Sequence, residues 1–420
     1  MNNKIKKISA REILDSKGNP TIEVELTTDL GVFLASVPSG VSKGKYEAVE
    51  LRDGGRRYQG KGVLRAVRNI NKTIGPKLKG RDPTQQKEID NFLIKLDGTE
   101  NKSKLGANAI LAVSVAVCRA GASAKNLPLY QHIAEIYTGQ TRVNYILPVP
   151  SVLMIEGGAH AGNELDFQEF MIVPQEKSFT KALQVASEIY HQLKEIIKAK
   201  YVDLAINVGD EGGFAPSVRV PEEAINLILG AAKNLGYQNK IKIILDVAAS
   251  QFYIKGTYKM RIGAFTREGF LNYYSDLVQK YPIFGLEDPF SEEDWEGWQK
   301  LISKSQFLIS KPLVIGDDLL ATNPKRIKLA KEKKACNAAI IKMNQIGTVT
   351  ETITAAKLAK SYGWKIMVSH SSGETCDDFI SDLAVGIGAD FIKSGAPARG
   401  ERVAKYNRLL RIEEEIRSGS

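Results

Sequence analysis

Six short apolar runs, each followed by a charged residue or a histidine, constrain the fold of this 420-residue chain more than any other feature. The runs are IKIIL, PIFGL, PLVIG, NAAII, KIMVS and DFI, and the residues that follow them are Asp246, Glu287, Asp317, Lys342, His370 and Lys393. The successive gaps are 41, 30, 25, 28 and 23 residues, which suits one strand, one helix and their connections per unit. Units of this kind over about 270 residues predict an α/β fold with a (β/α)8 TIM-type barrel, whose active site lies at the C-terminal strand ends.

The first third of the chain has a different pattern. Residues 4–38 contain the strand-like runs TIEVELTT and GVFLASV between turn residues, which predicts an antiparallel hairpin or meander. A Gly-rich loop follows at 38–45, and from 63 to 134 the pattern becomes helical. We therefore expect a small N-terminal α+β domain at 1–137 that caps a catalytic barrel domain at 138–420.

The residues at the strand ends predict a particular chemistry. Three carboxylates on neighbouring strands form an all-oxygen site, which suits a hard cation such as Mg²⁺. Only one of Asp317 and Asp318 is expected to face the barrel mouth, because side chains alternate along a strand. A lysine near cations and a second lysine has its charged form disfavoured, so it can act as a base. This combination favours proton abstraction beside a carboxylate, with metal ions stabilising the charge that develops.

Longer motifs give the pattern a specific resemblance. They run in order along nearly the whole chain: AREILDS from Ala10, EAVELRDGG from Glu47, LDFQEFMIVP from Leu165, VGDEGGFAP from Val208, LEDPF from Leu286, GDDLLATNPKRI from Gly316, KMNQIGT from Lys342, SGET from Ser372 and KSGAPARGER from Lys393. As a set they resemble the glycolytic enolase family. The resemblance implies a barrel of the enolase kind and conversion of 2-phosphoglycerate to phosphoenolpyruvate and water. A lysine base working with Mg²⁺ is the arrangement of that superfamily.

Transferred residue by residue, the resemblance implies two Mg²⁺ ions per active site. Asp246, Glu287 and Asp317 would hold the first, and Ser39 would bind a second that arrives with the substrate as the mobile loop 38–45 closes. Lys342 would remove the proton from C2 of the substrate. The remaining expected roles are Glu211 as donor to the departing 3-hydroxyl, Glu169 beside it, Gln168 and Lys393 around the substrate, His160 and His370 lining the pocket, and Ser372 on the phosphate.

The sequence also gives expectations about assembly and location. The resemblance implies a homodimer or an octamer built from dimers. The N-terminus has no signal-peptide core, Cys118, Cys336 and Cys376 have no CxxC spacing, and the apolar run Ala109 to Cys118 is too short to span a bilayer. We therefore expect a cytoplasmic protein with no membrane span. Family resemblance also allows surface exposure or secretion without a signal peptide.

Three positions depart from the family pattern. Ser371 stands where the family has an arginine that grips the substrate phosphate, and serine cannot replace a bidentate guanidinium. Lys43 lies in the loop whose usual sequence in the family is Ser-Gly-Ala-Ser-Thr-Gly. Its side chain either brings a compensating charge to the phosphate or is a solvated loop residue. Glu156 stands where asparagine is usual, which adds negative charge near the substrate loop.

Three alternative functions are weighed against this interpretation. Gly40 to Gly44 matches the spacing of a serine-hydrolase nucleophile elbow, but Pro38 and the following segment do not fit its strand–helix context. Ser371 favours another dehydratase, epimerase or lyase of the superfamily, acting on a non-phosphorylated acid. The formal net charge of +10 would suit an RNA or polyanion binder. Its lysines, however, are spread along the chain without interleaved aromatic residues.

Overall fold

The computed structural model describes residues 3–40, 45–141, 143–201, 203–305 and 311–419. In its N-terminal part, β1 (Lys7–Leu14), β2 (Pro20–Thr28) and β3 (Gly31–Ser36) form an antiparallel sheet in that order, which confirms the predicted meander. Apolar residues on alternate positions of β2 are buried, so one face of the sheet joins the core. The helical segments of this part are Leu64–Asn69, Ile70–Ile74 (a π turn), Gly75–Leu78, Gln86–Asp97, Ala107–Ala124 and Leu129–Thr138.

The helix Ala107–Ala124 is the centre of this part of the fold. It packs against β2 and β3, and 83% of it is buried inside the protein. Its 18 residues extend beyond the apolar run 109–118, and among the described residues it alone has the length and hydropathy to cross a bilayer. The sequence analysis considered only residues 109–118 and therefore underestimated the length of this apolar segment. Its burial is that of a core helix.

Eight strands form a closed barrel, which confirms the predicted fold class. Along the described chain the strands are β4 (Val149–Glu156), β5 (Glu169–Pro174), β6 (Ile241–Asp246), β7 (Tyr253–Ile254), β8 (Thr257–Met260), β9 (Gly263–Phe265), β10 (Ile283–Glu287), β11 (Leu313–Gly316), β12 (Ala338–Ile341), β13 (Lys365–Ser369) and β14 (Phe391–Lys393). Strands β7 to β9 make a separate small sheet, and the other eight close in the order β10-β11-β12-β13-β14-β4-β5-β6.

Helices follow or connect the barrel strands. Their bounds are Phe179–Lys200, Pro221–Asn234, Arg267–Lys280, Trp295–Ser305, Pro324–Glu332, Met343–Ile346, Val349–Ser361, Phe379–Gly386 and Gly400–Ser418. Short 3₁₀ turns occur at Arg57–Gly60, Gly158–His160, Asp203–Ile206 and Ala249–Phe252.

One barrel strand differs from the regular (β/α)8 pattern. Strand β5 runs antiparallel to both of its neighbours, β4 and β6, and it follows β4 without an intervening α-helix. The first residue of β5, Glu169, consequently pairs with Asp246, the last residue of β6. An antiparallel strand thus presents its N-terminal end at the barrel mouth, where the other strands present their C-terminal ends.

A buried polar network connects the N-terminal helices to the barrel. Oδ2 of Asp90 accepts hydrogen bonds from the backbone N of Thr350 (2.9 Å) and from its hydroxyl (2.6 Å), at the start of the helix Val349–Ser361. Oδ1 of Asp90 accepts from the Ser114 hydroxyl at 2.7 Å, and that hydroxyl accepts from the backbone N of Val349 at 3.0 Å. Asp90 is fully buried and caps a barrel helix from outside the barrel.

We predict that Asp90→Ala lowers the free energy of unfolding by about 2–3 kcal/mol, because it removes a helix cap and leaves buried donors unpaired. Urea unfolding followed by circular dichroism measures this change. The matched control is Glu88→Ala, at an exposed position of the helix Gln86–Asp97 that also contains Asp90. It should change the free energy of unfolding by less than about 0.5 kcal/mol. Equal effects of the two substitutions would contradict a joining role for Asp90.

Candidate active site

The strand ends bring the six predicted residues to one mouth of the barrel. Asp246 and Glu287 are register partners at the ends of β6 and β10. Asp317, Lys342 and His370 each follow directly on the last residue of a strand, and Lys393 ends β14. The cavity at this mouth measures about 590 Å³ with its open end included. Its described lining contains Gly40, Glu47, His160, Gln168, Glu169, Glu211, Asp246, Ala248, Gln251, Asp288, Asp317, Asp318, Lys342, Asn344, Gln345, Ser369, His370, Ser371, Ser372 and Lys393.

Lys393 lies at the centre of the carboxylates. Its Nζ is 3.0 Å from Oδ2 of Asp246, and 2.9 and 3.0 Å from the two carboxylate oxygens of Glu287. It also lies 3.1 Å from Oε1 of Glu169. Because all four side chains are buried, this cluster brings three carboxyl groups from three strands around one ammonium group.

Asp317 forms the second ion pair of the site. Its Oδ2 is paired with Nζ of Lys342, and its Oδ1 accepts a hydrogen bond from Nε2 of Gln345 at 2.8 Å. Burial works to lower the pKa of Lys342, but the Asp317 carboxylate outweighs it and holds that pKa above its usual range. Lys342 and Lys393 therefore lie beside different carboxylates in one cavity.

Asp318 also lines the cavity, which contradicts the prediction that only one of the adjacent aspartates faces the mouth. The reason is that β11 ends at Gly316, so strand alternation no longer applies to 317 and 318. The carboxylate of Asp288 shapes this turn, because it accepts hydrogen bonds from the backbone N of Asp317 (2.9 Å) and of Asp318 (2.8 Å). Burial and the neighbouring aspartates raise the pKa of Asp288.

His370 is held in one tautomer by Arg402. Nη1 of Arg402 lies 2.6 Å from Nδ1 of His370. A guanidinium only donates, so Nδ1 accepts and the ring proton is on Nε2. Nε2 lies 2.9 Å from Oε2 of Glu211. Burial lowers the pKa of His370 to about 4, so the imidazole is neutral at pH 7.

Glu211 lies in the same cavity as the lysines, beside two histidines and two further acids. Nδ1 of His160 is 3.6 Å from Oε1 of Glu211 and 3.9 Å from Oε1 of Glu169. Both carboxyl groups are buried, and Oε2 of Glu169 has no hydrogen-bond partner among the described residues. Glu156 lies behind Glu211, and each of Glu156, His160 and Glu211 has a ligand atom within 4.8 Å of the others.

The three carboxyl groups of this pocket do not titrate alike. Burial and the charge of Glu211 raise the pKa of Glu169 well above its ordinary range and that of Glu156 to about 8. Burial also acts to raise the pKa of Glu211, but His370, His160 and Arg402 outweigh it and hold that pKa low. Glu169 was expected beside the proton donor Glu211. In the structure the raised pKa values belong to Glu169 and Glu156, and that of Glu211 is lowered.

The residues expected around the substrate line the same cavity. Nε2 of Gln168 is 3.4 Å from Oδ2 of Asp246, and its Oε1 accepts from Nε2 of Gln251 at 2.6 Å. Ser372 lines the cavity, and its backbone oxygen accepts from Nη2 of Arg402 at 2.6 Å. The Ser371 hydroxyl donates to Oδ1 of Asn344 at 3.0 Å.

Ser39 is placed differently from the carboxylates. Its backbone pairs with Gly373, and its Oγ accepts a hydrogen bond from Nη2 of Arg52 at 2.6 Å. Gly40, not Ser39, lines the cavity. Lys43 lies outside the described residues. A metal-ligand role for Ser39 and a phosphate role for Lys43 stay predictions.

The donor set fits a hard cation. Seven carboxyl groups line the described cavity against two lysines, and Glu287 lies beneath Lys393. Oxygen ligands in such excess suit Mg²⁺. One close-set group is Asp288, Asp317 and Asp318, and another is Glu156, His160 and Glu211. We assign no ion to the second group, because both oxygens of Glu156 accept backbone hydrogen bonds.

Asp288 and Arg402 are the functional neighbours that the sequence reasoning missed. Both belong to quoted motifs, LEDPF and KSGAPARGER. Asp288 follows the strand end directly and adopts a φ of 40°, which an unstrained strand residue does not. Arg402 lies in the last helix, and nothing in its spacing indicates that it reaches His370.

Comparisons with known proteins match both the N-terminal part and the barrel. A family model described as "Enolase, N-terminal domain" matches residues 5–133, and one described as "Enolase, C-terminal TIM barrel domain" matches residues 144–420. A curated relative from Mastigamoeba balamuthi, named "Enolase", is 51% identical over 426 residues. That alignment covers 98% of this chain and 96% of the relative.

We predict that Asp288→Asn weakens divalent-cation binding about 10- to 100-fold, the usual effect of removing a group that orients metal ligands. Asparagine tolerates the positive φ, but it offers one acceptor oxygen to two backbone N–H groups. Isothermal titration with Mg²⁺ measures the change. Asp276→Asn, on the exposed face of the helix Arg267–Lys280, is the control, and an Asp288→Asn protein with unaltered affinity would refute the positioning role.

Proposed function

The chain belongs to the enolase family and is a phosphopyruvate hydratase, and from that premise we propose that it performs the reversible, Mg²⁺-dependent dehydration of 2-phospho-D-glycerate to phosphoenolpyruvate and water in glycolysis and gluconeogenesis. The observation that supports the proposal best is that Lys342 and Glu211 line one cavity together with buried carboxylates. A dehydration needs this arrangement, because a base must remove one proton while an acid protonates the departing hydroxyl.

We propose that Asp246, Glu287 and Asp317 hold the first Mg²⁺ and that Ser39 contributes to a second that comes with the substrate. When bound, the ions offset the second negative charge that develops on the substrate carboxylate. A cation held by Asp317 would share the charge of that carboxylate with Lys342 and would weaken its hold on the ammonium proton. Lys393 lies against Asp246 and Glu287 and orients both carboxylates.

We propose that Lys342 takes the proton from C2 and that Glu211 gives a proton to the oxygen that leaves C3. The neutral His370, with its Nε2 2.9 Å from Oε2 of Glu211, fixes the position of that carboxyl group. His160 and Glu169 line the same cavity, and Gln168 lies beside Asp246. A base and an acid carried by two different side chains let one site remove a proton and supply another.

The phosphate end of the pocket supports a second candidate substrate class. Ser371 replaces the arginine of the family pattern, and its hydroxyl is bonded to Asn344. Among the described lining residues, Lys342 and Lys393 are the permanent cations, and both are paired with carboxylates. A non-phosphorylated 2-hydroxy acid would need no such cation, so a superfamily lyase with that substrate is the alternative to 2-phosphoglycerate.

We further propose domain bounds of 1–137 and 138–420, a cytoplasmic location, and a homodimer or an assembly of dimers. Exposed apolar side chains on the N-terminal sheet support a partner subunit, since Leu14, Val32 and Leu34 are 55%, 58% and 48% exposed. These side chains surround a groove that also contains Arg119 and Asp377. A cluster of this kind on one face favours protein–protein contact.

The proposed function predicts Mg²⁺-dependent formation of phosphoenolpyruvate from 2-phosphoglycerate, followed by absorbance at 240 nm. Lys342→Ala should lower kcat by about 10³-fold or more, because it removes the base. Lys325→Ala, on an exposed lysine outside the cavity, is the control. Turnover of a non-phosphorylated sugar acid without turnover of 2-phosphoglycerate would favour the second candidate.

We predict that Ser371→Arg lowers KM for 2-phosphoglycerate about tenfold, because a guanidinium binds phosphate through two charge-assisted hydrogen bonds. Ser371→Gln adds length without charge and should leave KM unchanged or higher. If Lys43 already supplies the missing charge, Lys43→Ala raises KM instead and Ser371→Arg gains little. Unchanged KM values in both Ser371→Arg and Lys43→Ala would contradict a cation shortage at this end.

A further inference from the structure

Glu156 has no role in the function proposed above, yet its carboxylate is tied to the loop that carries Glu211. Glu156 is the last residue of β4 and is fully buried. Its Oε1 accepts a hydrogen bond from the backbone N of Glu211 at 2.9 Å, and its Oε2 accepts from the backbone N of Gly213 at 2.7 Å. One carboxylate thus satisfies two backbone donors of this loop. An asparagine has one acceptor oxygen and could satisfy only one of them.

The loop is built around this carboxylate. A Cβ at Gly209 would lie 2.7 Å from Cδ and Oε2 of Glu156, and one at Gly213 would lie 3.0 Å from its Cγ. Strand β4 also pairs with the end of the loop, because Glu156 N donates to the oxygen of Phe214 at 2.9 Å and Phe214 N donates to the oxygen of Met154 at 2.9 Å. The backbone position of Glu211 therefore depends on Glu156.

Few positive charges lie close enough to Glu156 to stabilise negative charges on Glu156 and Glu211 at the same time. Glu156 and Glu211 have carboxylate oxygens within 4.8 Å of each other. Arg402 attracts both groups, but its Nη1 and Nη2 are bonded to His370 and to the backbone of Ser371, Ser372 and Asp210. The other titratable groups that face Glu156 are Glu169, the neutral His160 and Tyr190.

We propose that Glu156 is a positioning residue for Glu211 and shares a single proton with it, so that this pair keeps a proton available for the departing hydroxyl; the inference rests on the proposed dehydration. Ionised Glu156 is stabilised by two backbone N–H groups, and its charge in turn favours the protonated form of Glu211. Two buried carboxyl groups this close titrate as a unit. Burial and the charge of Glu211 raise the pKa of Glu156 to about 8, whereas His370, His160 and Arg402 hold the pKa of Glu211 low. The resting pair therefore carries its proton on Glu156 and passes it to Glu211 for the step.

Every proton that moves in the proposed dehydration has a source and a destination. Lys342 takes the proton from C2, the C3–O bond breaks with its electron pair on oxygen, and Glu211 gives its proton to that oxygen to form water. The acid pair is left without a proton and takes one from solvent, while Lys342 returns one to solvent. His370, His160 and Arg402 act to lower the pKa of Glu211, so without the charge of Glu156 that carboxyl group would hold a proton less firmly.

The test is the pH dependence of dehydration in Glu156→Gln. In the wild type, kcat should fall above about pH 8, where the pair loses its proton. Glu156→Gln should lower kcat at pH 7.5 about 10- to 100-fold and move the alkaline limb at least about one pH unit towards acid, with KM within about 3-fold. Thermal unfolding at pH 7.5 verifies that the variant is folded.

Tyr190→Phe is the matched control. The Tyr190 hydroxyl donates to the backbone oxygen of Gly212 at 2.7 Å, so its removal loosens the same loop without removing a carboxyl group. We expect a fall in kcat of less than about tenfold and an unmoved pH profile. A Glu156→Gln enzyme with the wild-type profile, or a Tyr190→Phe enzyme with an equal shift, would overturn proton sharing.

A second readout is independent of turnover. The ¹⁵N amide resonance of Gly213, bonded to Oε2 of Glu156, should titrate near pH 8 in the wild type and not in Glu156→Gln. Absence of that titration in the wild type would sink the inference even if the enzyme is active. Conversely, a wild-type protein that titrates at Gly213 but forms no phosphoenolpyruvate with Mg²⁺ would refute the proposed function and retain the acid pair.

Discussion

The interaction on which the site depends is the contact of one buried ammonium group with carboxylates from three strands. Lys393 reaches Glu169, Asp246 and Glu287 from β14, so four of the eight barrel strands meet at its Nζ. A buried cluster of this kind is stable only while the charges stay paired. The acids nevertheless exceed the lysines, and this imbalance makes the cavity receptive to divalent cations rather than to further anions.

The barrel and the strand-end residues were predictable from the sequence because parallel strands place their last residues at one edge. Spacing alone is enough to bring Asp246, Glu287 and Lys393 together. The antiparallel β5 was not predictable in this way, since a reversed strand presents its first residue at the mouth and breaks the rule of apolar run followed by functional residue. Glu169 was consequently found through family resemblance, and no strand pattern indicated it.

Contacts between distant segments set the second limit of sequence reasoning. Arg402 fixes the tautomer of His370 across 32 positions of sequence, and Glu156 binds the loop of Glu211 across 55. The sequence analysis excluded Asp318 because side chains alternate between the two faces of a strand. That rule does not apply to Asp318, since the strand ends at Gly316. The directions of the carboxyl pKa shifts could not be predicted from the sequence either. They depend on which of several buried carboxyl groups lies closest to a positively charged side chain.

The same imbalance bears on phosphate recognition. A phosphate adds about two negative charges to a cavity that already holds an excess of carboxylates. Lys342 and Lys393, the cationic side chains of the described lining, both form ion pairs with carboxylates. The Ser371 hydroxyl donates a hydrogen bond to Asn344. With 2-phosphoglycerate as the proposed substrate, bound cations would have to supply the charge that an arginine supplies in the family pattern. Substrate affinity in this chain should consequently depend on metal occupancy more steeply than in relatives that keep the arginine, because fewer fixed positive charges remain when the metal is lost.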